Sequence, residues 1–135
     1  MLDQFVDLLR KSEVFRRESR RGEFSALLHM RDPQAALFLM LKSGRVLAGA
    51  GADASTAQRA AFGVSEDVLS PTLGLHLPAT TLHEVLIGDV HPMQLALSGR
   101  VRVSGNMLAA IGLQSLLPEA IRLYRAAYPA TIRTR

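Results

Sequence analysis

Seven consecutive apolar residues, Ala35-Ala36-Leu37-Phe38-Leu39-Met40-Leu41, lie between two short turn segments. Arg31-Asp32-Pro33-Gln34 precedes them and Lys42-Ser43-Gly44-Arg45 follows. The run is too short for an ordinary helix, and turn chemistry on both sides makes it a strand. A strand has two faces, and here both are apolar. It must be covered on both sides, or covered on one side with a ligand on the other. Phe24 to Met30 and Val46 to Ala50 are further apolar runs beyond the two turns. Three runs joined by two short turns predict an antiparallel meander.

The rest of the chain supplies helices and two more strands. Leu2 to Glu18 reads as a helix with Phe5, Leu8 and Leu9 on one stripe. Ser12 breaks it and can cap a second short helix carrying Val14 and Phe15. Gly51 to Pro71 is small and polar, a loop with a short helix over Ser55 to Ala61. Leu73, Leu75 and Leu77 alternate with Gly74 and His76, the pattern of a half-buried strand. Pro78 ends that strand, and Thr80 or Thr81 starts a helix. Leu82, Val85 and Leu86 share one face of it, and Gly88 lies just past its end. Pro92 suits the start of a short helix through Leu97. Arg100 to Ser104 is a strand with Val101 and Val103 opposite Arg100 and Arg102. Asn106 caps a helix bearing Met107, Leu108, Ile111 and Leu113. Pro118 is expected to break it, leaving Glu119 to Tyr128 as a last segment. Residues 1–135 thus form one α+β domain with five strands and several amphipathic helices.

Several chemistries are excluded by what is missing. No cysteine is present, so there is no disulfide, thiol nucleophile or cysteine-ligated metal, which suits a reducing cytoplasm. His29, His76, His83 and His91 match no metal-ligand spacing, and His83-Glu84 lacks the second histidine of a zinc helix. Ser98-Gly99 and Ser104-Gly105 are turn pairs without the glycines of a nucleophile elbow. Gly49-Ala50-Gly51 follows a strand, but that strand belongs to an antiparallel meander and not to a dinucleotide-binding βαβ unit. No apolar run reaches the roughly 18–20 residues of a membrane span, and no leader pattern opens the chain. The expectation is therefore a non-enzyme with no metal and no cofactor. If catalysis did occur, His76 and His83 would be the candidate buried ionisable groups.

Composition points toward apolar surface. Hydrophobic residues make up 48% of the chain but aromatics only 5%, so its apolar content is aliphatic. Net charge is +4, and Arg10, Lys11, Arg16, Arg17, Arg20 and Arg21 cluster with Glu13 and Glu18 among them. No aromatic is spaced among them for base stacking, so nucleic acid is not expected as a partner. Arg16, Arg17, Arg20 and Arg21 are candidates for transient docking on an anionic membrane surface. A plain solvated helix face is the alternative.

The stretch Leu86 to Leu117 carries a resemblance. Gly88 follows a helix, and Pro92-Met93 opens the next. Ser98-Gly99-Arg100-Val101-Arg102-Val103 forms a strand, Gly105-Asn106-Met107 a turn, and Leu113-Gln114-Ser115-Leu116-Leu117 a helix segment. This ordered set closely resembles the sterol carrier protein type-two family, also called the non-specific lipid-transfer or sterol-binding domain. The resemblance covers Phe24 to Ala50 only in outline. It departs from the family pattern over Gly51 to Pro71, where the family usually passes quickly from the third strand to the fourth.

The resemblance implies a mixed, mostly antiparallel five-stranded sheet covered by helices, with a hydrophobic tunnel between the two layers. It implies binding, and transfer, of a fatty-acyl, sterol-like or isoprenoid lipid. Candidate lining residues are Leu82, Val85, Leu86, Met93, Leu97, Met107, Ile111 and Leu116, facing Phe38 and Leu75. Met93 and Met107 rank first, because methionine makes an adaptable wall. The alternative is an accessory module for a lipid- or quinone-pathway enzyme, acting as a homodimer.

Overall fold

The computed structural model describes residues 2–32, 34–62, 71–88, 94–95 and 98–128, with backbone alone for residues 107–110. The chain opens with α1 (Asp3–Lys11) and α2 (Glu13–Ser19), followed by β1 (Phe24–Arg31), β2 (Ala35–Lys42) and β3 (Arg45–Gly51). Next come α3 (Ala54–Phe62), β4 (Leu73–Pro78), α4 (Ala79–Leu86), β5 (Arg102–Gly105) and α5 (Met107–Ala127). The sheet order is β3-β2-β1-β4-β5. All neighbours are antiparallel except β1 and β4, which run parallel with His29 beside His76.

Local chemistry explains the boundaries. Ser12 stands between the first two helices, and its hydroxyl accepts from the Phe15 amide at 3.2 Å, an N-cap for α2. Ser43 (φ 50°) and Gly44 (φ 81°) both adopt left-handed backbone, the two-residue hairpin that follows the natural strand twist. The parallel junction starts with a reciprocal clasp. The Ser25 amide donates to Thr72 Oγ1 at 2.8 Å, and the Thr72 amide donates to Ser25 Oγ at 3.0 Å.

The alternation read in the sequence divides the sheet into two faces. Leu28, Met30, Leu37, Leu39, Ala48, Leu73 and Leu77 point to the main core, beneath Phe5, Leu9, Phe15, Leu82, Leu86 and Leu123 of the helices. The opposite face is covered over β2 and β3 by α3. There Phe38 and Leu27 meet Ala57 and Ala61. Gly49 permits this: a Cβ at that position would lie 2.3 Å from the Ala57 carbonyl oxygen and 2.4 Å from the Ala61 amide. The doubly apolar run Ala35 to Leu41 is therefore covered by helices on both sides.

One expectation fails. Pro118 does not break the last helix, which runs unbroken through Met107–Ala127. A proline at this position removes the amide that would bond the Gln114 carbonyl. Gln114 and Pro118 are both exposed, so water can take that place. Beyond the proline, Glu119 accepts from Ser12 Oγ at 3.1 Å, and Tyr124 packs edge-on against Phe5 at 5.4 Å. These contacts hold both halves on one axis. The short helix expected from Pro92 to Leu97 lies largely outside the described residues.

Candidate functional site

Among the described residues, clefts open at both ends of β1 between the main face of the sheet and its helices. The larger, about 360 Å³, lies where β1 ends and β2 begins. Met30, Ala35 and Ala50 form its floor, and Leu82 and Leu86 of α4 and Leu2 before α1 close it. Its polar groups come from Asp3, Asp32, Thr80, His83 and Tyr124. The smaller, about 270 Å³, lies at the other end of β1, where Phe24 and Leu41 face Gly112 and Leu116 of α5. Six residue steps along β1, from Phe24 to Met30, separate the two ends, about 20 Å at strand rise. Along that stretch Ala26, Leu28, Leu37 and Leu39 are buried in the core.

The larger cleft has a fixed polar corner. His83 Nδ1 and Tyr124 Oη are hydrogen-bonded at 2.7 Å. Tyr124 is wedged between Phe5 and Tyr128, with ring centroids at 5.4 and 4.9 Å. Burial raises the Tyr124 pKa, and Tyr128 adds to this, so the phenol stays protonated. Gly88 (φ 87°) ends α4 here, and Arg125 donates to the Ile87 carbonyl at 2.7 Å, tying α4 to α5.

The sequence-derived lining residues separate into distinct places. Leu82 and Leu86 line the larger cleft, and Leu116 lines the smaller. Val85 is buried, and Leu75 is half-buried against the core. Phe38 is fully buried on the opposite face, under α3, because successive residues of a strand point to opposite sides. Ile111 is 64% exposed on α5. Met93 and Leu97 lie outside the described residues, as does the side chain of Met107, whose backbone starts α5. Sequence reading missed Tyr124, Asp3 and Asp32 as lining groups. They come from distant segments and share no spacing signal.

His29 and His76 lie elsewhere, and His91 is outside the described residues. His29 and His76 stack at 4.4 Å and 4° on the sheet face opposite the cleft. Burial lowers the His29 pKa, and repulsion from His76 lowers it further. Among the described residues no group of three His, Asp or Glu side chains is placed to hold a metal, and no helix is long and apolar enough to cross a membrane. Of the candidate docking residues, Arg16 pairs with Glu13 at 2.8 Å and Arg21 with Glu18 at 3.5 Å. Arg17 and Arg20 are exposed.

A five-stranded mixed sheet with α3 on one face, the remaining helices on the other and an apolar cleft beside them defines an α+β lipid-carrier-like fold class. Residues 7–118 match the model of the SCP-2 sterol transfer family, and the chain belongs to that family. Solved structures agree on the fold. A crystal structure of sterol carrier protein 2 is 21% identical, with 91% of this chain and 92% of that chain covered and a TM-score of 0.59. The apo form of sterol carrier protein 2 from Yarrowia lipolytica is 14% identical, with 88% of each chain covered and a TM-score of 0.63. A UbiJ-SCP2 ubiquinone synthesis protein is 13% identical, with 87% and 90% covered and a TM-score of 0.57. No curated protein matches the chain.

Proposed function

We propose that this chain binds an apolar lipid between sheet and helices, in the cleft beside His83, and carries it between sites. The observation that supports this reading is the cleft itself. Its roughly 360 Å³ falls within the range of small-molecule sites, and its floor is aliphatic. Burial of apolar ligand surface would drive binding at roughly 25 cal/mol per Å². An aliphatic wall discriminates poorly among chain lengths, so length selectivity is low.

Native mass spectrometry of gently purified protein tests the reading. A bound lipid is expected, and Ala35→Trp, which plugs the floor, is expected to lose it while keeping the fold. Protein that is empty and ignores fluorescent long-chain probes, neutral and acidic alike, would refute it.

Delivery to a membrane would use the arginine cluster of α2 and the turn after it. Arg16 and Arg21 have glutamate partners, so Arg17 and Arg20 carry most of the attraction to anionic lipid. Pelleting with anionic vesicles should weaken as salt rises and fall in an Arg17→Ala, Arg20→Ala double variant. Salt-independent pelleting would refute docking by charge. A second reading, an accessory module acting as a homodimer, draws on the exposed Ile111. Light scattering tests it: an Ile111-dependent dimer supports it, and a monomer at all concentrations refutes it.

A further inference from the structure

The polar groups of the larger cleft carry information about the head of its ligand. They form one hydrogen-bonded pair, His83–Tyr124, together with Thr80 and the carboxyl groups of Asp3 and Asp32. Among the described lining residues there is no lysine or arginine. Three nearby arginines are engaged elsewhere. Arg10 donates to the Ala48 and Ala60 carbonyls at 2.9 and 3.1 Å. Arg100 meets Glu84 at 3.6 Å, and Arg125 holds the Ile87 carbonyl.

A fatty-acid carboxylate beside the His83–Tyr124 pair would give up part of its water, meet no cation among the described lining residues and lie near two aspartates. Burying a charge on those terms is strongly unfavourable. A neutral oxygen head meets the opposite situation. In the His83–Tyr124 bond one partner donates and the other accepts. Whichever donates, a neutral imidazole and a phenol together keep one donor and one acceptor for a third group. The two lie on opposite sides of the pair, so a hydroxyl can use either one and a carbonyl uses the donor. We propose that the cleft selects lipids with a neutral hydroxyl or carbonyl head over lipids with a carboxylate head, and that His83 and Tyr124 read that head. This rests on the lipid-binding reading and narrows its ligand class.

The test is displacement of a fluorescent-labelled hexadecanol by unlabelled hexadecanol or hexadecanoate near neutral pH. The alcohol is expected to bind at least about tenfold more tightly than the acid, the scale set when a buried polar pair is left without a matching head. Tyr124→Phe removes one hydroxyl with little change of shape. It should weaken the alcohol several-fold and narrow the gap. Asp32→Asn removes a surface carboxylate and should strengthen the acid relative to the alcohol. Equal or tighter binding of hexadecanoate by the unaltered protein would overturn the head-group selection and leave lipid binding standing. Failure of both ligands to bind would overturn the lipid-binding reading, and this inference with it.

Discussion

Phe38 distinguishes core from ligand wall, because the family resemblance placed it in the wall and the sheet places it under α3. Its side chain is 0% exposed, and its ring lies 5.7 Å from that of Phe62 at 47°. Phe38→Ala removes a fully buried ring and half of an aromatic pair. Such truncations cost about 3–5 kcal/mol, and about 4 is expected here, since the rigid strand and α3 backbones leave little room for collapse. A domain of this kind holds about 5–15 kcal/mol in reserve, so the variant still folds in water. Urea titration should show a midpoint lower by about 2–3 M with an unchanged slope. Phe38→Leu, which keeps most of the volume, should lose only about 1–2 kcal/mol. Lipid affinity, measured well below the midpoint, should remain that of the unaltered protein in both variants. A stability loss under about 1.5 kcal/mol for Phe38→Ala, or lost binding in a folded Phe38→Leu variant, would refute the assignment of this face to α3 alone.

Three further outcomes follow from described contacts. Gly49→Ala sets a Cβ against the backbone of α3 at 2.3 Å, which cannot rotate away, and should destabilise the fold by about 2–3 kcal/mol in urea titrations. Ser12→Ala removes both the α2 cap and the bond to Glu119, with an expected loss of about 1–2 kcal/mol by the same measurement. His29 is held below its ordinary pKa of 6.5, chiefly by burial and then by His76. The unfolded chain therefore binds its proton at higher pH than the folded one. This contribution to stability is complete above 6.5 and is lost as pH falls through the lowered value. Urea midpoints should drop on acidification through this range, and less so in His29→Gln. An NMR titration placing the His29 pKa at or above 6.5 would contradict the argument.

The strands were legible because their apolar runs are short and bounded by turns. Ser43-Gly44 marked its hairpin, and Leu73, Leu75 and Leu77 marked their shared face. The sheet order was not legible from pattern alone, since nothing in Leu73 to Pro78 says that it pairs with β1 in parallel. The doubly apolar β2 concealed its own orientation. Both faces read alike, so the sequence could not say that Phe38 meets α3 while Leu37 and Leu39 meet the main core. Pro118 misled because local rules count the lost amide but not the exposed Gln114 carbonyl or the anchors beyond it. Of the candidate site, helix periodicity put Leu82 and Leu86 on one face of α4, and the family resemblance implied that this face meets a ligand. Tyr124 was not found, since its partner His83 lies 41 residues earlier and no spacing joins them.

The parallel seam between β1 and β4 has a consequence for how the molecule is made. As the chain leaves the ribosome, the β1-β2-β3 meander can pair through local contacts soon after Gly51 emerges. At that stage one side of β1 has unmatched amides and carbonyls flanked by leucines, a surface open to pairing with another nascent copy. It stays open until Leu73–Pro78 has been synthesised and has travelled back across the sheet. The reciprocal Ser25–Thr72 bonds then act as the starting tooth of a zipper. Weakening them should show in slower refolding and more aggregates before it shows in the finished protein.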